Sequence, residues 1–469
     1  MSNRFEQFRL NPARSLPGLR ESLNDRSMSH PVSQHPRIVF VGAGSVVFTR
    51  QLLTDLFGFD DLPPLQIVLY DVDADRLQVA KGTADQVRER LGRPAEVIAT
   101  LNRREALDGA DFVINMIQVG GIDGTRADLE IPARYGLRQT IGDTTGIGGV
   151  FRGLRTFPVL SAIAEEMIEL CPDAWFLNYT NPMAMNIWWL SLVAPRIKAV
   201  GLCHSVYWTV HDLCELIKVP IGEVDYAAGG VNHQAWLTTW ERDGEDLYPL
   251  LEKVIADDPE MLRRVRVEIF RRVGCYPTET SEHSAEYLSW FLRSDEQIAR
   301  YRLTPLEYLQ ISEDNVAEFR QARDDLAAGR PLELPREPAE YAPQVIHAMI
   351  TGTSRRIHAN TPNVGLIDNL PDRAVVEVPA LVDAEGVHPL PFGPVPPVGA
   401  ALNRSYLSVA ELTVTAALTG DPELVRRAVL VDPNAASSIS PEQIWAACDD
   451  LTAAHARYLP RSLGGELEL

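Results

Sequence analysis

Cys203 and His233, 30 residues apart, are the pair of side chains in this sequence best suited to hold a metal. A thiolate and a neutral imidazole both ligate divalent metals, and a metal with only two protein ligands keeps open positions for substrate oxygens, as a Lewis-acid catalyst requires. A buried cysteine beside a capping histidine would present the same two residues. His204 follows the thiol directly, and residues 275–287 gather Glu279, Glu282, His283, Glu286 and Tyr287 into one short stretch, which also reads as the solvated start of a helix. Gly142-Asp143-Thr-Thr-Gly-Ile-Gly-Gly149, with Arg152 and Arg155 behind it, has enough glycine to wrap a ligand, although a surface loop would look alike.

Placing these groups requires a sheet. Residues 37–41 form a β-branched run ending in Gly42-Ala-Gly44-Ser45, a helical pattern follows to Phe57, and the next strand, residues 66–70, ends in Asp71. Gly42-x-Gly44 lets the backbone approach a pyrophosphate at a helix N-terminus, and an acid at the tip of strand two can accept hydrogen bonds from ribose hydroxyls, which favours NAD over a 2′-phosphorylated cofactor. Val47 stands where the fingerprint has its third glycine, and Asp71 could instead cap the helix from Ala74. Further strands are expected at residues 97–100, 111–117, 174–179, 198–202 and 226–231, with helices between most of them, as in a parallel doubly wound sheet. Asn178-Tyr-Thr-Asn181-Pro182 closes one strand, Cys203-His204 the next, and Asn232-His233 the last. From about residue 235 the pattern turns helical, notably over residues 249–273, 284–293, 311–328, 405–418 and 441–458. Residues 336–343 read as a surface connection, and residues 374–387 with 393–397 as a small strand-and-turn element. The expected organisation is a polar extension (1–35), a dinucleotide-binding part (36–234) and a mostly helical α+β part (235–469) for substrate, metal and oligomerisation.

The chain has 469 residues, with 44 Lys+Arg against 64 Asp+Glu and a formal net charge of −20. Such a balance lacks the basic clusters that hold nucleic acid or anionic membrane, so neither is an expected partner. Five scattered cysteines do not form a disulfide framework and fit a reducing cytoplasm. No apolar run reaches the roughly 18–20 residues of a membrane span, and residues 1–35 contain no apolar h-region, so neither secretion nor membrane insertion is expected.

Several segments, in order, resemble glycoside hydrolase family 4: Gly42-Ala-Gly-Ser-Val-Val-Phe48, Ile141-Gly-Asp-Thr-Thr-Gly146, Asn178-Tyr-Thr-Asn-Pro-Met-Ala-Met-Asn186, Cys203-His-Ser-Val206, Val231-Asn-His233, Thr278-Glu-Thr-Ser-Glu-His283, Gly365-Leu-Ile-Asp-Asn-Leu-Pro371 and Val376-Glu-Val-Pro379. The resemblance runs from about residue 37 to the C-terminus, and the Cys203-His-Ser-Val206 form is similar to the family's α-galactosidases. The extension 1–35, and Thr280 where relatives often carry Ser, depart from the pattern.

The resemblance implies an N-terminal Rossmann-like sheet of the lactate/malate dehydrogenase type. It implies hydrolysis of α-galactosides by NAD- and Mn²⁺-dependent elimination rather than by the two-carboxylate displacement of most glycosidases. NAD⁺ takes hydride from sugar C3, a base removes the acidified C2 proton, the C1–O bond breaks, water adds and the hydride returns. By family position Cys203 and His233 hold the metal, and His204 is the acid for the leaving oxygen or a histidine supporting the metal shell. Asp143 and Asn181 meet sugar hydroxyls, and Glu279 and His283, with Glu282, are candidates for the base. Gly42, Gly44, Ser45, Val46, Phe48, Asp71, Arg76 and Asn115 line the cofactor, and the assembly is a homodimer or homotetramer. Competing readings are an α-galacturonidase, with Arg152, Arg355 or Arg356 meeting the C6 carboxylate, a lactate/malate-type dehydrogenase, and a non-catalytic NAD sensor with Cys203 as a redox switch.

Overall fold

A computed structural model describes residues 35–335 and 340–467, so the polar extension, apart from His35, lies outside the described residues. The strands are β1 (Arg37–Val41), β2 (Leu65–Tyr70), β3 (Ala95–Thr100), β4 (Phe112–Asn115), β5 (Trp175–Asn178), β6 (Lys198–Leu202), β7 (Asp225–Val231), β8 (Gln234–Arg242), β9 (Glu245–Asp246), β10 (Tyr276–Pro277), β11 (Arg355–Pro362), β12 (Val375–Asp383) and β13 (Gly386–Pro389). They form one sheet in the order β10-β8-β7-β12-β11-β6-β5-β4-β1-β2-β3, with β13 on β12 and β9 on β8.

From β3 to β6 every pairing is parallel, and the order reverses between β1 and β4, the switch point at which doubly wound sheets bind ligands. β1 is buried on both faces because helices cover both sides, which is why it reads as an unbroken apolar run. Val39, Val41, Val68 and Val113 share a core with Leu160, Ile163 and Met167 of the helix Gly146–Leu170. Each such aliphatic side chain contributes about 1.5–3 kcal/mol through removal from water.

β7 is not in the parallel run. β11 and β12 lie between it and β6, every pairing from β6 to β10 is antiparallel, and β7 turns into β8 through the two-residue hairpin Asn232-His233. The reading of residues 226–231 as one more parallel strand is thus corrected. A strand's apolar run reports burial but not direction, and strands from late in the chain enter the middle of the sheet. The anticipated division between residues 234 and 235 falls in this hairpin, with one sheet running across it.

Other expectations shift with burial. The pattern at residues 249–273 is two helices, Tyr248–Asp257 and Val265–Val273, separated by a turn, and of residues 284–293 only the end of the short helix Ser281–Glu286 is helical. In the stretch read as a surface connection, residues 336–339 are outside the described residues, but Glu340, Tyr341, Ala342 and Pro343 are buried at the start of the helix Tyr341–Thr351. The strand-and-turn reading of residues 374–387 corresponds to β12, a tight turn and the start of β13; β12 lies between β11 and β7 in the sheet, and β13 pairs with β12 alone. No disulfide links the five cysteines, and among the described residues no helix is long and apolar enough to cross a membrane.

Candidate active site

The turn after β1 is built by backbone approach. Gly42 has φ +89°, and a Cβ there would meet the Met116 backbone at 3.0 Å. The Gly42 and Ala43 N–H groups both donate to the Tyr70 carbonyl at 3.0 Å, and the Gly44 N–H donates to Asp71 Oδ2 at 2.7 Å. Asp71 also accepts from the Asp73 N–H, and Asp73, not Asp71, caps the helix Ala74–Leu91. Arg76 donates to the Gly44 carbonyl at 3.1 Å while its guanidinium lies over the Phe319 ring. Ser45 is exposed and Val46 buried at the start of the next helix, and Phe48 packs edge-on against Tyr179 at 4.9 Å. Asn115, opposite Val41 at the end of β4, donates to Asn178 Oδ1 and Thr180 Oγ1, and its own side-chain Oδ1 is buried without a partner. These residues gather around the turn after β1, at the carboxyl ends of β1, β2 and β4.

Cys203 Sγ and His233 Nε2 come within 3.5 Å. They do so because Cys203 follows β6 while His233, at φ +63°, occupies the β7–β8 hairpin. Glu279 adds a third donor, with Oε2 at 3.8 Å from His233 Nε2, so that thiol, imidazole and carboxylate atoms lie within 4.8 Å of one another. Asp143, His233 and His283 form a second such group. Burial pushes the Cys203 thiol up to about 11, so it keeps its proton until a cation arrives to take the thiolate. Burial would raise the Glu279 carboxyl, but His233 and His283 outweigh it and hold it below its ordinary range.

The sugar-facing candidates adjoin this centre. Asn181 donates to Asp143 Oδ2 at 2.8 Å, Thr144 Oγ1 donates to Asp143 Oδ1 at 2.6 Å, and His283 Nε2 lies 3.5 Å from Oδ1. Burial opposes ionisation of Asp143, but the His283 imidazole, with Arg152 and His233, keeps it well below the usual carboxylate range. Arg152 is buried, donates to the Asn181 carbonyl and faces the Tyr308 ring at 5.7 Å. Arg355 instead packs on Phe59 beside His347 and Arg356 is exposed, so of the three arginines only Arg152 belongs to this cluster. Glu282 enters only through its backbone carbonyl, which accepts from Thr140 Oγ1.

Two participants escaped the sequence reading. His204 Nδ1 lies 2.9 Å from Oε1 of the buried Glu340. Burial would lower this imidazole, but the Glu340 contact raises it to about 10, so it is cationic at neutral pH. Glu377, wholly buried on β12, accepts from Asn360 at 3.2 Å and is pushed up to about 7 by burial. The His204–Glu340 contact leaves no local trace, because its partners are 136 residues apart, and the Asn360–Glu377 contact follows only from the β11–β12 register, in which the two residues stand opposite each other.

Comparison with known proteins gives the family. Residues 37–219 match the model of family 4 glycosyl hydrolases, and residues 228–435 that of the family 4 glycosyl hydrolase C-terminal domain. The chain is 40% identical to an alpha-galactosidase of Bacillus subtilis over 429 residues, covering 90% of this chain and 99% of that protein. It is 30% identical to an alpha-galacturonidase of the same organism, covering 85% and 93%. A solved 6-phospho-alpha-glucosidase from gut microorganisms, in complex with NAD and Mn²⁺, superposes with a TM-score of 0.80 at 21% identity, over 91% of this chain and 99% of that one.

Proposed function

We propose, for a chain that belongs to family 4 of the glycosyl hydrolases, that the substrate is an α-galactoside, opened by elimination with NAD and Mn²⁺ as resident cofactors. The observation that carries the reading is the 3.5 Å approach of Cys203 to His233, beside the Asp143–Asn181 pair on the same sheet as the Gly42-x-Gly44 turn. The residues fit both groups. Gly42 and Gly44 keep the turn tight and its backbone bare, since a Cβ would strike the Met116 backbone or the Asp71 carboxylate, and the Cys203–His233 pair suits a first-row divalent cation.

Held by these residues, NAD would supply hydride transfer and manganese Lewis-acid stabilisation of developing negative charge. The protein's own groups do the rest. Asp143 and Asn181 hold sugar hydroxyls and fix the ring. Glu279, ionised and flanked by two imidazoles, takes the C2 proton. His204, cationic through Glu340, gives a proton to the leaving oxygen. Cys203 and His233 hold the metal, and Gly42, Gly44, Asp71 and Arg76 shape the nucleotide site.

A second reading, an α-galacturonidase, is favoured by one observation: the Arg152 guanidinium is buried in the sugar-side cluster, where it could meet a C6 carboxylate. One assay decides both. Protein stripped of cofactors is supplied with nitrophenyl α-galactoside or α-galacturonide, with NAD⁺, Mn²⁺, both or neither. Turnover of the galactoside only when both are restored is expected. Full activity in NAD-free protein overturns the elimination, and preference for the galacturonide transfers the reading to uronates.

A further inference from the structure

The segment carrying Asp143 and Thr144 is gripped at both ends by buried carboxylates from other parts of the chain. At one end, Glu286 Oε1 accepts from three successive backbone N–H groups, Thr140 at 2.7 Å, Ile141 at 3.0 Å and Gly142 at 3.0 Å, and Oε2 accepts again from Gly142. At the other, Asp432 Oδ2 accepts from Thr145 Oγ1 at 2.9 Å and from the Gly146 N–H at 3.0 Å. Consecutive N–H groups converging on one carboxyl oxygen form a nest. Glycine permits the tight path: Gly142 has φ +62°, and a Cβ on Gly149 would lie 2.4 Å from the Thr144 carbonyl carbon.

Between these grips the segment presents just two side chains to the site. Asp143 meets Asn181 and His283, and Thr144 Oγ1 lies 3.3 Å from His233 Nδ1, the ring nitrogen opposite the one facing Cys203. A displaced segment would therefore misplace a sugar contact and release the tilt of the His233 ring together.

We propose that Glu286 and Asp432 are positioning residues, a two-ended clamp that fixes Asp143 and Thr144 relative to the Cys203–His233 pair. Neither carboxylate touches those site residues itself. Glu286 closes the short helix that begins at Ser281, so the clamp also couples the segment to the element bearing His283. Asp432 has a second task, since its Oδ1 caps the helix Pro433–Ser438 through the Ala435 N–H. The kinetic consequence rests on the galactoside reading above, whereas the clamp does not.

The test uses full-length E286A, E286Q and D432N, each followed by amide hydrogen exchange and by steady-state turnover of nitrophenyl α-galactoside with NAD⁺ and Mn²⁺. In E286A the amides of Thr140, Ile141 and Gly142 should exchange at least about tenfold faster, with those of β1 and β4 unchanged. Its kcat/KM should fall by about 30-fold or more, while NAD affinity stays within about twofold. E286Q keeps one acceptor oxygen for the three N–H groups and should recover most of both losses. D432N should loosen Gly146 and lower kcat/KM without disturbing Thr140–Gly142. If E286A does not fold, E286D, whose carboxylate stops one methylene short of the nest, takes its place, with faster exchange expected at Thr140–Gly142, and D432N tests the other end through Gly146. Unchanged exchange and kinetics in all variants that fold would overturn the clamp, as would equal losses in E286A and E286Q with exchange raised throughout the sheet. Absence of galactoside turnover in wild type would overturn the substrate reading, leaving exchange to judge the clamp.

Discussion

His204 and Glu340 meet at 2.9 Å although 136 residues separate them in the chain. The contact commits Nδ1 to the carboxylate and leaves Nε2 as the nitrogen able to deliver a proton. Glu340→Gln keeps an acceptor but removes the charge. Its effect should depend on the leaving group: about 10- to 100-fold loss in kcat for alkyl galactosides, which need protonation, and little for nitrophenyl galactoside, which does not. Equal losses for both would remove His204 from the acid role.

Cys203→Ser should abolish Mn²⁺-dependent turnover while leaving NAD binding within about threefold of wild type, because thiol and nucleotide turn follow different strands. A serine hydroxyl stays protonated where a metal-bound thiol ionises. NAD fluorescence titration beside Mn²⁺-dependent turnover gives the answer, and near-normal turnover would return Cys203 to the role of a packing residue.

Abstraction of the C2 proton by Glu279 predicts a solvent label. Galactose released in D₂O should carry deuterium at C2, read by NMR. Glu279→Gln should depress turnover and label incorporation together by about 100-fold or more. Unlabelled product at full conversion would point to displacement at C1.

His358 lies buried in β11, where its Nε2 accepts from the Ala228 N–H at 3.3 Å. Burial, with Arg356 nearby, lowers this imidazole to about 3 from an ordinary value of 6.5. The unfolded chain therefore binds a proton below pH 6.5 that the folded chain refuses until about pH 3, so this residue makes stability fall as pH drops through that window. His358→Gln, which keeps an acceptor, should flatten the acid limb relative to wild type in urea titrations from pH 7 to 4, at a cost of about 1–3 kcal/mol at neutral pH. Parallel acid limbs would show that His358 is not the source.

What the sequence made legible was local. Gly42-x-Gly44 and Asp71 stand out because turn and acid lie one β-α-β unit apart, and Cys203 and His233 because each closes an apolar run. His233 lies in a hairpin turn and not at the end of one more parallel strand, since nothing in residues 226–231 announces that β11 and β12 stand between them and β6. Glu340 was hidden in a Pro- and Glu-rich stretch that looked solvated, and Asp432 is 286 residues from the Gly146 it holds. Contacts of that span leave no periodicity behind them. Glu286, visible among the acids of residues 275–287, turned out to grip backbone rather than face substrate.

The insertion of β11 and β12 between β6 and β7 also governs how such a protein can be recombined. A fragment ending at residue 234 would retain β7 without the neighbours that seat it, and would bare β6 as an open edge prone to pairing with other chains. A chimera that takes its C-terminal part from a relative must import β11 in register, Ala359 opposite Leu202 and Asn360 opposite Gly201, or lose the placement of the strand that leads into Cys203. The two parts of the chain on either side of residue 234 therefore share one sheet, and exchange of a whole half is expected to disrupt β6 and β7 together, whereas changes in side chains and loops leave the strand order intact.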